Sequence, residues 1–136
     1  MSNVATEALT VVVEREIPFP PEKIWRALTQ PHLIEEWLMK NDFKPVVGHG
    51  FNLRADWGVV DCQVLAVEPN KTLSHTWRVF DLESVVTWTL TPTSTGSHLR
   101  MEQSGFRPDQ QQYYQGAKSG WPRFFAALEQ VLARLD

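Results

Sequence analysis

The sequence contains a single cysteine, Cys62, so the chain cannot form an intramolecular disulfide. Its start also lacks the basic segment and the following apolar segment that are typical of a secretory signal peptide. These two absences exclude the class of small secreted domains that depend on disulfides. We therefore expect the protein to be cytoplasmic.

Long apolar runs and an excess of positive charge are absent as well. The longest uninterrupted apolar stretch covers residues 124–128, whereas a membrane-spanning helix needs about 20 apolar residues. With 13 Lys and Arg against 16 Asp and Glu, the net charge of -3 offers no basic surface for a phosphate backbone. We expect neither a membrane span nor a nucleic-acid partner.

The sequence shows no pattern for a metal or a cofactor. Its four histidines lack the paired spacing that a zinc site needs, and Cys62 has no second thiol beside it. The segment Gly48-His49-Gly50 lacks the third glycine and the following helix of a dinucleotide-binding motif. We predict that the protein holds no metal and no cofactor.

Aromatic residues, by contrast, are abundant. The 136 residues include 6 Trp and 7 Phe, and 43% of the chain is hydrophobic. A chain of this length and composition matches one domain, which we place at residues 1–136. Large rings build apolar cores and also line ligand pockets, so composition leaves both uses open.

The N-terminal third predicts one strand followed by two short helices. Residues 9–16 are β-branched and partly alternating, which is typical of a strand. Pro18, Pro20 and Pro21 end it, and a proline in the first turn suits the helix predicted over about 22–28. Thr29 precedes Pro31 as the predicted cap of a second helix, which runs to about residue 39.

Beyond residue 41 the apolar period changes from helical to alternating, which predicts five strands separated by turns. In the first of these strands the alternation places Trp57 on the face that carries Phe51. In the second it places Ala66 on the face that carries Cys62. This pattern predicts an antiparallel meander.

The C-terminal segment has a 3.6-residue apolar period from Trp121 to Leu135, which predicts an amphipathic helix. Pro122 indicates either a helix start with Ser119 as its cap or a kink, and we favour a kinked helix from about Asp109 onward. Only this helix can cover one face of the strands. The order predicts an α+β fold: a curved antiparallel sheet of about six strands around a long C-terminal helix, with two short helices between strands 1 and 2.

Four stretches carry a family resemblance: VEREIPFPPEKIWRALTQPHLIEEWL, VLAVEPNKTLSHTW, SVVTWTLTPTSTGSHLRMEQSGF and SGWPRFFAALEQVL. They resemble the activator of the ninety-kilodalton heat-shock-protein ATPase-like family, part of the START-like or SRPBCC superfamily. The resemblance covers about residues 9–135. It implies a helix-grip fold with an apolar, lipid-binding-like cavity between sheet and helix, and it leaves a chaperone open as a partner.

The inferred inward faces surround one interior, which we take as the candidate ligand-binding cavity. Side-chain packing alone could also explain any single one of these positions. The candidate residues are Trp37, Phe51, Leu53, Cys62, His75, Trp77, Trp88, Met101, Gln103, Trp121 and Phe125.

Two of these candidates, His75 and Gln103, are polar residues in an otherwise apolar pattern. Burying either of them without a partner would cost about 1 to 3 kcal/mol. In an aromatic cavity such groups orient a ligand, but they could also lie at the rim of the sheet or bond to each other. Cys62 and His75 fall on consecutive strands and could form a nucleophile and base, yet a lone strand cysteine is usually apolar filler.

We therefore assign no catalytic residue. The remaining candidates for acid–base chemistry are Asp61, Tyr113 and Tyr114. Three functions stay open. The first is non-catalytic binding of a small hydrophobic or aromatic molecule, which we favour. The second is a cofactor-free enzyme of the cyclase or isomerase type, and the third is a chaperone-binding module. Ligand identity and oligomeric state stay open too.

Overall fold

The structure is a computed structural model, and it describes residues 9–135. Within these residues, seven strands and three helices follow one another. Their bounds are β1 (Leu9–Ile17), α1 (Pro21–Thr29), α2 (Pro31–Trp37), β2 (Lys40–Asn41), β3 (Gly50–Ala55), β4 (Gly58–Glu68), β5 (Thr72–Val79), β6 (Leu82–Thr93), β7 (Gly96–Phe106) and α3 (Gln111–Arg134).

All seven strands form one antiparallel sheet in the order β1-β7-β6-β5-β4-β3-β2. Consecutive strands from β2 to β7 are neighbours, and β1 returns to pair with β7. This arrangement confirms the predicted α+β helix-grip fold. The structure has one strand more than the six predicted. The additional strand is the two-residue β2, which pairs with β3 and is too short to give an alternating signal.

A β-bulge in β4 corrects one predicted inward position. The pairing of β4 with β5 shifts between Val64 and Ala66, so that Val67 lies opposite Leu73. An extra residue reverses the alternation beyond it, because successive strand side chains point to opposite faces. Val67 therefore packs against the core in the place predicted for Ala66.

The two short helices begin at Pro21 and Pro31, as a proline in the first helical turn allows. Thr29 does not cap α2. It is the last residue of α1, and its hydroxyl donates to the carbonyl of Trp25 at 2.7 Å. The indole N–H of Trp37 donates to the carbonyl of Ala27 at 2.8 Å, and this bond joins α2 to α1.

Helix α3 continues through Pro122, and Ser119 lies inside it rather than at its start. The Ser119 hydroxyl donates to the carbonyls of Gln115 and Gly116, both at 3.2 Å. The C-terminal half of α3 buries Trp121, Phe125 and three aliphatic residues in the core. These residues fall on one side of the helix because they recur at three- and four-residue spacing.

The N-terminal half of α3 presents much smaller side chains on the same side. Gly116, Ala117 and Gly120 precede Trp121 at helical spacing. A Cβ atom placed on Gly116 or Gly120 would meet no atom within 4 Å apart from its two chain neighbours and the local helix backbone. This part of the helix therefore lies beside open space.

We expect Gly116→Ala and Gly120→Ala to stabilise the protein. Alanine favours a helix interior by about 0.8 to 1 kcal/mol over glycine, and the added methyl has room at both positions. The free energy of unfolding in urea should rise by up to about 1 kcal/mol for each variant. A clear loss of stability would mean that neighbouring atoms leave no room for a methyl group at these glycines.

Candidate functional site

A cavity of about 260 Å³ lies between the N-terminal half of α3 and the sheet. Trp57, Gln112 and Gly116 are exposed at its mouth. No charged side chain occurs among the described residues that line it. These residues are Met39, Trp57, Trp77, Val79, Leu82, Gln103, Phe106, Gln112, Tyr113, Gly116, Ala117, Gly120, Trp121 and Phe124.

Other surface depressions are larger but have a different chemistry. A groove of about 430 Å³ between β1 and α3, for example, is lined by Glu14, Arg15 and Lys118 beside the strand backbone. Ligand pockets are mostly apolar, with a small number of polar groups. By this criterion the cavity under α3 is the candidate site.

A chain of hydrogen bonds forms the inner end of the cavity. The indole N–H of Trp121 donates to Gln103 Oε1 at 2.7 Å, and Gln103 Nε2 donates to Ser84 Oγ at 3.0 Å. The Ser84 hydroxyl in turn donates to the carbonyl of Trp77 at 2.8 Å. An indole N–H can only donate, so it fixes which end of the Gln103 amide faces α3.

Gln103 retains hydrogen-bonding capacity beyond this chain. Its carbonyl oxygen has two lone pairs and its nitrogen two protons, whereas the chain uses one of each. Gln103 also lines the cavity. It is therefore a polar group available to a ligand at the buried end of an apolar space.

A second set of polar contacts holds α3 at the mouth. The Tyr113 hydroxyl donates to Asp81 Oδ1 at 2.6 Å, and Gln110 Nε2 donates to the Asp81 carbonyl at 3.0 Å. The bond from Tyr113 lowers the pKa of the Asp81 carboxyl and raises the pKa of the Tyr113 phenol. Helix α3 is thus held at Asp81 and at Gln103, on either side of its glycine-rich segment.

All eleven predicted cavity residues are buried, but the structure divides them among three places. Trp77, Gln103 and Trp121 line the cavity under α3. Cys62, Met101 and Phe125 belong to the hydrophobic core cluster. A separate void of about 20 Å³, the size of one water molecule, is lined partly by the other five, which are Trp37, Phe51, Leu53, His75 and Trp88.

His75 and Gln103 line different spaces and have separate hydrogen-bond partners. His75 is buried, and its Nδ1 bonds with the Thr76 carbonyl at 2.8 Å, which places the proton on Nδ1 because a carbonyl only accepts. Its ring lies 5.3 Å from the Phe51 ring and 6.5 Å from the Trp77 ring. Burial lowers the pKa of His75 to about 4, so the imidazole is neutral at pH 7.

Cys62 has the properties of core filler rather than of a nucleophile. Burial, followed by the charges of Asp61 and Asp42, raises the pKa of its thiol to about 12. Nucleophilic cysteines need a thiolate, which this environment disfavours. The hypothesis of a nucleophile and base formed by Cys62 and His75 loses its chemical basis.

Sequence reasoning missed much of the cavity wall. The signal was the spacing of small residues, since Gly116, Ala117 and Gly120 lie on the face of α3 that carries Trp121. Tyr113 lies on the same face. Trp57 needs a correction as well. It lies beyond the end of β3, in the turn before β4, and 56% of its surface is exposed.

Within residues 9–135 there is no group of three or more His, Cys, Asp or Glu side chains placed to hold a metal ion. In the same part of the chain, no helix is both long enough and apolar enough to cross a membrane.

Comparison with known proteins identifies the family. Residues 18–133 match the family described as Activator of Hsp90 ATPase homolog 1-like protein. The chain belongs to this family. No curated protein gives a significant match.

Solved structures of relatives share the fold. The X-ray structure of MLL2253 from Mesorhizobium loti is 73% identical in sequence, with a TM-score of 0.92 over 94% of this chain and 99% of that one. The solution structure of BH1534 from Bacillus halodurans is 27% identical, with a TM-score of 0.82 over 93% and 99% of the two chains. DynU16, described as a putative protein in the dynemicin biosynthetic locus, is 25% identical, with a TM-score of 0.80 over 93% of this chain and 47% of that one.

The bond between Trp121 and Gln103 predicts non-additive stability losses. Trp121→Phe leaves Gln103 Oε1 without its donor, and Gln103→Leu leaves the indole N–H without its acceptor. Each substitution should lower the free energy of unfolding by about 1 to 3 kcal/mol. The double variant should lose less than the sum, by about 0.5 to 3 kcal/mol in urea unfolding. Strict additivity would mean that the two side chains are not coupled.

The burial of His75 predicts a pH dependence. Because its pKa falls from 6.5 to about 4 on folding, the unfolded chain binds more protons between these values, and stability declines as pH drops from about 6.5 to 4. This contribution amounts to about 3 kcal/mol. In urea unfolding, the free energy of unfolding of wild type should fall by this amount relative to that of His75→Phe as the pH drops from about 6.5 to 4. A constant difference would mean that His75 titrates normally.

Proposed function

We propose that the protein binds a small, neutral, hydrophobic molecule without catalysis, in the cavity between α3 and the sheet. The observation that carries the proposal is the uncharged lining of that cavity, with Gln103 at its buried end. An ionic ligand would lose its hydration there without gaining a counter-charge among the described lining residues.

The volume of the cavity limits the size of the ligand. About 260 Å³ is slightly less than the 300 to 1,000 Å³ of common small-molecule pockets. The buried part of the ligand is therefore smaller than a typical drug molecule. The aromatic wall formed by Trp77, Phe106 and Trp121 suits a flat apolar group, since rings gain attraction from stacking or edge contacts beyond their buried area.

The glycines of α3 support the same proposal. Two glycines within a helix lower its stability, and here they border open space rather than a closely packed neighbour. Space beside a helix is what a ligand requires. The family match and the shared helix-grip fold are consistent with binding in this place, although a fold by itself does not define a function.

An enzyme would require Tyr113, the one titratable side chain among the described lining residues. The hydroxyl of Tyr113 donates to Asp81, and this bond raises its pKa, which favours retention of its proton. We therefore place the cyclase or isomerase alternative second. A chaperone-binding role is third, because it would leave the cavity without a use.

Filling the cavity should weaken binding strongly without unfolding the protein. We expect 1-naphthol to quench tryptophan fluorescence saturably and with 1:1 stoichiometry in the wild type. Gly120→Leu, whose side chain would enter the open space, should weaken binding at least tenfold. The matched control Gly120→Ala adds a single methyl group and should have a much smaller effect.

Circular dichroism of each variant provides the folding control for this titration. If folded wild type shows no saturable binding, the binding proposal is wrong and the chaperone-binding alternative takes its place. Equal affinity in wild type and folded Gly120→Leu would place the probe elsewhere on the protein. Chemical conversion of the probe would favour the enzyme.

A further inference from the structure

Two large aromatic side chains lie exposed beside the mouth of the cavity. Trp57 is in the turn between β3 and β4, and Phe80 is in the turn between β5 and β6. The two residues are 56% and 78% exposed, respectively, and their ring centroids lie 6.4 Å apart. The two adjacent rings form a small apolar patch on the surface, which a ligand at the cavity mouth can cover.

Trp57 belongs to the cavity as well as to the surface. It is a lining residue of the apolar cavity, although more than half of its surface remains accessible. Its indole therefore extends the apolar wall from the buried space to the outside. A ligand longer than the cavity would meet this ring where it leaves the protein.

Phe80 has a backbone conformation that a phenylalanine rarely adopts. Its φ is +53°, in the left-handed region where glycine is favoured and a bulky side chain is an outlier. The other non-glycine residue with a positive φ in residues 9–135 is Asn70, a type that tolerates this conformation. Strain of this kind is concentrated at functional sites, and the exposed ring of Phe80 gains little from burial.

We propose that Trp57 forms an outer subsite for the ligand, and that Phe80 is a positioning residue that supports the indole from the neighbouring turn. This inference rests on the proposed function. The ligand would be a neutral, elongated aromatic compound. One ring system would occupy the cavity, and a second flat ring would stack on Trp57.

The experiment compares two neutral probes that differ by one ring. 1-Naphthylamine is small enough for the cavity alone, whereas N-phenyl-1-naphthylamine adds a phenyl group that can reach Trp57. Aromatic stacking contributes roughly two- to tenfold in affinity. Wild type should therefore bind the phenyl-bearing probe more tightly, as measured by calorimetry.

Substitution at the mouth should affect the two probes differently. We expect Trp57→Ala to weaken N-phenyl-1-naphthylamine roughly five- to tenfold and 1-naphthylamine less than twofold, while Trp57→Phe restores part of the difference. Val47→Ala removes an exposed apolar side chain that is not among the lining residues of the cavity, and it should change neither affinity.

Phe80→Gly separates positioning from stability. Glycine adopts a positive φ readily, so this variant should unfold at the same urea concentration as wild type or at a higher one. Its affinity for the phenyl-bearing probe should nevertheless fall two- to fivefold. A residue with only a structural role would not lower affinity while stability is kept.

The outcomes distinguish this inference from the proposed function. If 1-naphthylamine saturates the cavity but the Trp57 and Phe80 variants bind both probes like wild type, the outer subsite is wrong and the proposed function stands. Equal losses for both probes would also overturn it, because Trp57 would then be an ordinary part of the cavity wall. If neither probe binds to wild type, the proposed function fails and this inference fails with it.

Discussion

The hydrogen bond from the Trp121 indole to Gln103 is the contact on which the architecture of the site depends. It joins the middle of α3 to β7 at 2.7 Å, in a place where both side chains are buried. A buried amide without partners would be costly, so this bond restricts how α3 can lie on the sheet. On the C-terminal side of Trp121 the helix packs on the core, and on the N-terminal side it borders the cavity.

The open space follows from the size of the side chains and the stiffness of the helix. The backbone hydrogen bonds of a helix keep it straight, so α3 does not move toward the sheet to close the space. The contact of Tyr113 with Asp81 also holds the N-terminal end of α3 in place. Glycine and alanine between these two attachments leave the volume that larger residues would fill. At the candidate site, α3 is therefore less stable as a helix and less closely packed than in its C-terminal half.

The relatives show how tolerant this scaffold is of sequence change. BH1534 shares 27% of its residues with this chain, yet the two structures agree at a TM-score of 0.82. The helix-grip fold depends on alternating strands and one amphipathic helix, which many sequences can supply. If the proposed function holds, the choice of ligand belongs to the side chains under α3 and at the cavity mouth rather than to the fold.

The sequence by itself determined which residues form strands and helices and which sides of them face inward. All eleven candidate residues are buried as alternation and helical period predicted, because these periods follow from local backbone geometry. The resemblance to the family likewise held. Local signals failed where an extra residue intervened, as at Ala66 beyond the bulge, and where an element ended at a different residue from the predicted one. Strand β3 ends before Trp57, whereas α1 continues one residue further than predicted, to Thr29.

Only the tertiary structure decided which buried residues surround open space. Trp77 and Trp88 have the same alternating pattern on neighbouring strands, yet one lines the cavity and the other the small void beneath α2. Periodicity tells which face a side chain occupies, but not how far the opposing surface lies from it. That distance depends on where α3 is attached and on the small residues it carries, both of which are properties of the assembled chain.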